Sequence, residues 1–306
     1  MSIATRTARP NGATPMRVTT GAVAMGNPAQ PVVVIDLARV ARRFHELRTA
    51  LPWMEVRYDV CALAHPALLT MIAADGAGFV ITRDSALGAL QRSGAQLSRV
   101  IHADPWARRQ ERRAAWEAGV RRFVIEDARD VDDFAAAPDG AVVLLRLEPD
   151  AAVEAARWAA RIGVDIAGLS LRLPDSAGAS DLLDAVEAAM RTRALIGEAV
   201  GSRPSLLDLG DAVCDLPGGR PDQVAALGRS IRSLAAPATS RVTVLASTGR
   251  AVAADALTVV TGTTERYVDP ATASDHIDAG AEVVVLRARR RLPGPARARS
   301  TWTPAG

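Results

Sequence analysis

Two thiols, Cys61 and Cys214, and four histidines are the side chains of this 306-residue sequence best placed to move protons near neutral pH. A pair of thiols could serve as acid and base in a cofactor-independent racemase or isomerase; equally, each cysteine could be a small apolar filler. His65 and His102 are candidates for a general base, or for hydrogen-bonded histidines at a rim. No His-x-x-x-His or Cys-x-x-Cys spacing occurs, so a metal site is unsupported, and two cysteines make no disulfide framework. Gly249-Arg250 could bind a phosphate or a carboxylate, or could merely form a turn. All 37 basic residues are arginine. An imine needs an amine that can deprotonate, and arginine stays charged, so no side chain here can form a Schiff base.

The elements that would carry these residues follow from periodicity. Val32–Ile35 is a β-branched run, and Leu37, Val40, Ala41, Phe44, Leu47 and Leu51 recur at helical spacing. Eight apolar runs follow: 56–62, 78–82, 99–103, 122–125, 142–147, 166–171, 206–209 and 242–246. Helical segments alternate with them at 66–74, 84–93, 106–118, 128–136, 151–162, 179–200 and 221–235. Near-continuous Val, Ile and Leu in the short runs suits parallel strands buried on both faces. The alternation predicts a (β/α)8 TIM barrel, with a doubly wound open sheet as the competing arrangement. The expected division is a flexible N-terminal arm at 1–30, the barrel at 31–250, a β-rich remnant at 251–286 and a disordered basic tail at 287–306. Trp106, Trp116 and Trp158 fall on helical patterns and are expected to pack in the outer layer.

Composition excludes several classes. Hydrophobic residues at 49% and charged residues at 23% suit a chain with a real core. The net charge of +3 gives no case for nucleic acid, despite a pI near 9.4. No apolar run is long enough to span a bilayer and no secretory leader is visible, so a cytoplasmic location is expected.

The motifs become specific when taken in order. Pro31-Val-Val-Val-Ile-Asp36, Tyr58-Asp-Val-Cys-Ala-Leu-Ala-His-Pro66 and Gly76-Ala-Gly-Phe79 resemble segments of the ornithine/diaminopimelate decarboxylase family. Ile101-His-Ala-Asp-Pro105, Gly168-Leu-Ser170, Leu206-Leu-Asp-Leu-Gly210 and Gly249-Arg250 continue the resemblance in family order. These are pyridoxal-phosphate (PLP) enzymes of the alanine-racemase-like fold. The resemblance implies a barrel of that type with a truncated C-terminal β region. It also implies that the imine-forming lysine falls on Cys61, and the histidine stacked on the cofactor ring falls near Arg172. The triple-glycine phosphate loop becomes Gly210-Asp-Ala-Val-Cys214, and the glutamate facing the pyridine nitrogen becomes Ser247.

Each replacement removes a function. Asp211 would set a negative charge beside a phosphate dianion, at about 4 kcal/mol per like-charge pair at 4 Å and an effective dielectric near 20. Ser247 cannot hold the pyridine nitrogen protonated. Covalent PLP is therefore not expected. The leading expectation is a pseudoenzyme that binds a small amino acid, a phosphate ligand or a partner. The partner would be a second copy or an active decarboxylase-like protein. The alternative is PLP-independent chemistry on an amino acid in the old pocket, with Cys61, His65, His102 or Cys214 reacting. There Arg172, Gly210, Gly249 and Arg250 would hold the ligand, Arg172 clamping its carboxylate. A noncovalent PLP carrier is the third.

Overall fold

The computed structural model describes residues 4–7, 17–20, 32–137, 140–174, 176–216, 220–235, 242–253, 256–261 and 282–286. The chain divides into two compact units: residues 1–45 with 250–306, and residues 46–249.

The first unit holds a five-stranded sheet. Its strands are β1 (Ala4–Thr7), β2 (Arg17–Thr20), β3 (Val32–Asp36), β12 (Leu257–Thr261) and β13 (Glu282–Leu286), in the order β1-β2-β12-β3-β13. β1 and β2 fall inside the stretch expected to be a flexible arm. The β-branched run at 32–36 pairs antiparallel with β12 and parallel with β13, so it lies outside the barrel that was expected to begin at residue 31. Its partners come from more than 200 residues downstream, which local periodicity cannot reveal. The expected basic tail at 287–306 lies outside the described residues.

Helix α1 (Leu37–Ala50) leads out of this unit. The second unit is a closed barrel of eight parallel strands in the order β10-β11-β4-β5-β6-β7-β8-β9. These are β4 (Met54–Asp59), β5 (Gly78–Ile81), β6 (Val100–His102), β7 (Arg122–Ile125), β8 (Val142–Leu145), β9 (Ile166–Ser170), β10 (Leu206–Asp208) and β11 (Thr243–Thr248). The helices between them are α2 (Pro66–Ala74), α3 (Ser85–Arg92), α4 (Arg109–Ala118), α5 (Pro149–Ile162), α6 (Ala179–Val200), the four-residue α7 (Ala212–Asp215) and α8 (Pro221–Ala235). The segment at 128–134 is a 3₁₀ helix instead of an α-helix. The eight strands and six of the seven helices stand where periodicity puts them, and the open-sheet alternative is excluded by closure.

α5 shows why. Pro149 occupies its first turn, where a missing N–H is harmless, and Gly163 ends it at φ 76, a conformation that favours glycine. Between them Ala152, Ala155, Ala156 and Ala159 form a buried stripe at helical spacing.

The barrel interior is set by register. Val80, Ile101, Val124, Leu144 and Leu245 form one buried cluster. Residues paired across parallel strands share a face, so Arg57, Arg122 and Asp208 also point inward through Ser247↔Arg57, Ile101↔Arg122 and Asp208↔Leu245. Between β8 and β9 the register shifts at Val143/Leu144: Val143 faces Ile166, and Leu144 faces Gly168. Ala167 is the extra residue of a bulge. Behind the wall, Trp116 packs edge-on to Phe123 at 6.4 Å, and Phe123 meets Phe134 at 5.1 Å.

Candidate active site at the barrel mouth

Barrel enzymes build sites from residues at and just beyond the C-terminal ends of their strands. Four such ends carry one polar network here. Glu126 follows β7, Arg146 follows β8, Ser170 ends β9 and Asp208 ends β10. Arg146 Nη1 donates to Glu126 Oε1 at 2.8 Å, and its Nη2 donates to Ser170 Oγ at 2.9 Å. Ser170 Oγ donates to Asp208 Oδ2 at 2.6 Å, and Asp208 Oδ1 accepts from the Gly210 N–H at 3.2 Å. Ser170 and Asp208 are both 4% exposed. At the outer end, Arg172 Nη1 donates to Glu126 Oε1 and Oε2 at 3.0 and 3.1 Å. Arg172 is exposed and Glu126 half-buried, so the network runs from the barrel interior to solvent. Sequence reasoning placed Arg172 but missed Glu126, Arg146 and the inward role of Asp208. The available signal was a charged or polar residue at the end of each of four consecutive strands.

Cys61 sits in a 3₁₀ turn (Val60–Ala62) directly after β4. The residue is exposed, but its sulfur lies 2.5 Å from Thr82 Oγ1. Partial loss of solvent and the nearby Asp59 charge push its thiol above the ordinary value. Cys214 lies in α7, fully buried, and burial pushes its thiol up strongly. The Thr248 hydroxyl is its neighbour. Each sulfur thus has a different hydroxyl beside it, and both thiols favour the neutral form. That is the wrong state for the basic member of a thiol pair.

The histidines are committed elsewhere. His65 caps α2: its Nδ1 accepts from the Ala67 N–H at 3.3 Å, and burial lowers its pKa. His102 does not project toward the mouth as expected. It pairs with outward-facing Phe123, one residue beyond inward Ile101, and packs on that ring at 5.6 Å. Its Nε2 lies 2.6 Å from Asp84 Oδ1, and it is 1% exposed. Of the other two, His45 is exposed on α1, and His276 lies outside the described residues. Trp106 also departs from expectation: it is 87% exposed in the loop after β6. Trp116 is buried, and Trp158 is 43% exposed with Nε1 donating to Asp132.

Gly210 turns the chain at φ 62 after β10, a conformation that favours glycine. Its N–H is taken by Asp208 Oδ1, and the Cys214 and Asp215 N–H groups are taken by the Asp211 carbonyl. Gly249 is buried, and a Cβ there would lie 2.5 Å from Ala62 Cβ and 3.1 Å from the Asp59 carbonyl. Arg250 is exposed and opens the short helix α9 (Arg250–Ala253).

The fit to covalently held PLP fails on this geometry. Cys61, in the turn after β4, offers a thiol where an amine is needed, and no other side chain supplies one. At the Gly210 turn the Gly210 and Cys214 amides are already bonded within the protein, and Asp211 replaces a glycine with a carboxylate. Buried Ser247 spends its N–H on the Gly210 carbonyl at 2.8 Å and offers a hydroxyl in place of a carboxylate. Among the described residues no cluster of His, Cys, Asp and Glu could hold a metal, and no helix is long and apolar enough to cross a membrane.

Comparison with known proteins shows what the chain is similar to. Residues 37–167 match the sequence profile of the pyridoxal-dependent decarboxylase pyridoxal-binding domain. A lysine/ornithine decarboxylase of Selenomonas ruminantium is 31% identical over 117 residues, 38% of this chain and 30% of that protein. An ornithine decarboxylase of Neurospora crassa is 25% identical over 245 residues, 74% of this chain and 50% of that protein. The chain therefore spans half or less of these curated relatives. The crystal structure of a Vibrio vulnificus lysine/ornithine decarboxylase with putrescine superposes with a TM-score of 0.68 at 23% identity, covering 77% of this chain and 68% of that one. An Entamoeba histolytica ornithine decarboxylase gives a TM-score of 0.67 at 17% identity, over 74% and 68% of the two chains. The closed barrel and its ordered motifs resemble those of the pyridoxal-dependent ornithine decarboxylase family, whose pyridoxal-binding domain this chain matches over residues 37–167.

Proposed function

We propose that this protein is a lysine-free, catalytically degenerate member of its family that works by binding a small amino acid at the barrel mouth. The observation that carries this reading is the Arg172–Glu126 pair. A solvent-exposed guanidinium is held by a carboxylate that is itself anchored through Arg146, Ser170 and Asp208 to the barrel wall. Arg172 can take a ligand carboxylate bidentately, while Glu126 offers an acceptor to an ammonium group. The anchoring keeps both groups in place before the ligand arrives, which lowers the entropy lost on binding. The two raised thiols and the capped or buried histidines leave no evident base beside them.

Since the relatives are named for lysine and ornithine, these two amino acids are the first ligands to test. At about 100-fold Kd a ligand stabilises the native state by about 2.7 kcal/mol, which thermal denaturation resolves. Stabilisation of the full chain by either amino acid, and its loss in Arg172→Ala, supports the reading. A yellow protein that retains PLP through borohydride reduction and releases carbon dioxide from an amino acid overturns it. By the same reading the protein resides in the cytoplasm, and its macromolecular partner is a second copy or an intact decarboxylase-like chain, which co-purification tests.

A further inference from the structure

The opposite end of the barrel carries a charge imbalance that the mouth does not use. Arg57 on β4 is 1% exposed. Its Nη2 donates to Glu55 Oε2 at 2.6 Å, and its Nη1 donates to the Arg99 carbonyl. Arg122, at the start of β7, shares the same Glu55 oxygen at 3.4 Å. Arg99, in the turn before β6, has no carboxylate partner among the described residues. Gly78 makes the room, since a Cβ there would overlap the Arg57 guanidinium.

Two guanidinium groups thus share one carboxylate, and the Arg99 charge adds to the field on Arg57. The buried Arg57 Nε has no hydrogen-bond partner. Burial first, and then the Arg122 charge, push Arg57 down to about 10, against the opposing pull of Glu55 and Asp208. The group is not sealed off: Arg122 and Glu55 keep 25% and 41% of their side-chain surface, and Arg99 is exposed. The N-terminal face of such barrels ordinarily serves stability, and a hydrophobic layer would serve that end better than arginines in excess.

We propose that this N-terminal pole is a binding site for a small phosphate-class oxyanion, gathered by Arg57, Arg99 and Arg122. A dianion there supplies the missing counter-charge and offers several acceptors to planar donor forks. Glu55 competes for the same guanidiniums and keeps them arranged when the anion is absent. The inference is independent of the reading of the mouth.

Inorganic phosphate is the probe, titrated into the full chain against chloride at matched ionic strength and followed by thermal denaturation and 31P NMR linewidth. The expected result is a saturable rise in Tm with phosphate and none with chloride. Arg122→Gln and Arg99→Gln each weaken the response on the order of tenfold, and Glu55→Gln strengthens it on the order of fivefold. Arg172→Gln, at the mouth, leaves it unchanged. Arg99→Gln changes an exposed side chain and carries the test if Arg122→Gln does not fold. Equal responses to phosphate and chloride overturn the proposal. So does a phosphate response that survives Arg99→Gln and is lost in Arg172→Gln.

Discussion

Replacing Asp208 by Asn keeps the shape of the side chain and removes its charge. Asp208 is 4% exposed, accepts from Ser170 and Gly210, lies 4.0 Å from Arg146 and acts electrostatically on Arg57. The Gly210 bond survives in the variant, because an amide oxygen still accepts. What is lost is the counter-charge for two guanidiniums. Breaking a buried pair from one side costs about 3–5 kcal/mol, and Arg146 retains Glu126, so the lower end applies: about 3 kcal/mol. For a barrel of this size that corresponds to a fall in Tm of about 6–12 °C. Thermal and urea denaturation of Asp208→Asn, Arg146→Met and the double variant measure it. A double-mutant coupling above about 1 kcal/mol is expected, because removing both partners leaves no stranded cation. A fall in Tm below about 2 °C with no coupling would refute the claim that this carboxylate balances the network.

Three further outcomes follow from the same structure. Burial lowers the His65 pKa below its ordinary 6.5, so stability present above that pH is lost as pH falls and the Nδ1 cap is protonated; His65→Asn keeps a cap and should flatten urea stability between pH 5 and 7. Cys214 and Tyr58 are both raised by burial, so the unfolded chain releases their protons first and stability declines as pH rises above about 9, with Cys214→Ala showing the shallower decline in denaturation curves. Gly78→Ala would place a Cβ against the Arg57 guanidinium and 2.8 Å from the Arg99 carbonyl; a loss of about 1–3 kcal/mol in urea denaturation is expected, and an unchanged midpoint would contradict the packing described.

The barrel was legible because strands such as β5 and β8 are buried on both faces and read as short apolar runs, although β4 carries Glu55, Arg57 and Asp59. β3 looks the same in sequence, yet it pairs with β12 and β13, and no local pattern announces partners so distant. β1 and β2 are Thr-rich and short, without the apolar alternation that marks a strand. At the site, ordered motifs located Cys61, Arg172 and Gly210. The faces of single residues were harder, because adjacent positions on a strand point oppositely. His102 was misplaced by that one step. Glu126 and Arg146 cannot be joined by local pattern, since the hydrogen bonds that link them cross strands and depend on register.

The irregularity at Ala167 is absorbed where it arises. Val143 faces Ile166 and Leu144 faces Gly168, so β9 leaves the bulge in step with β8, and Ser170 reaches both Arg146 and Asp208. Excising Ala167 would join Ile166 to Gly168 and leave Leu169 and Ser170 on their present faces. The spare peptide unit thus lets this strand lose one residue without harm to the mouth, where a regular ladder would turn its polar side chains toward the helices.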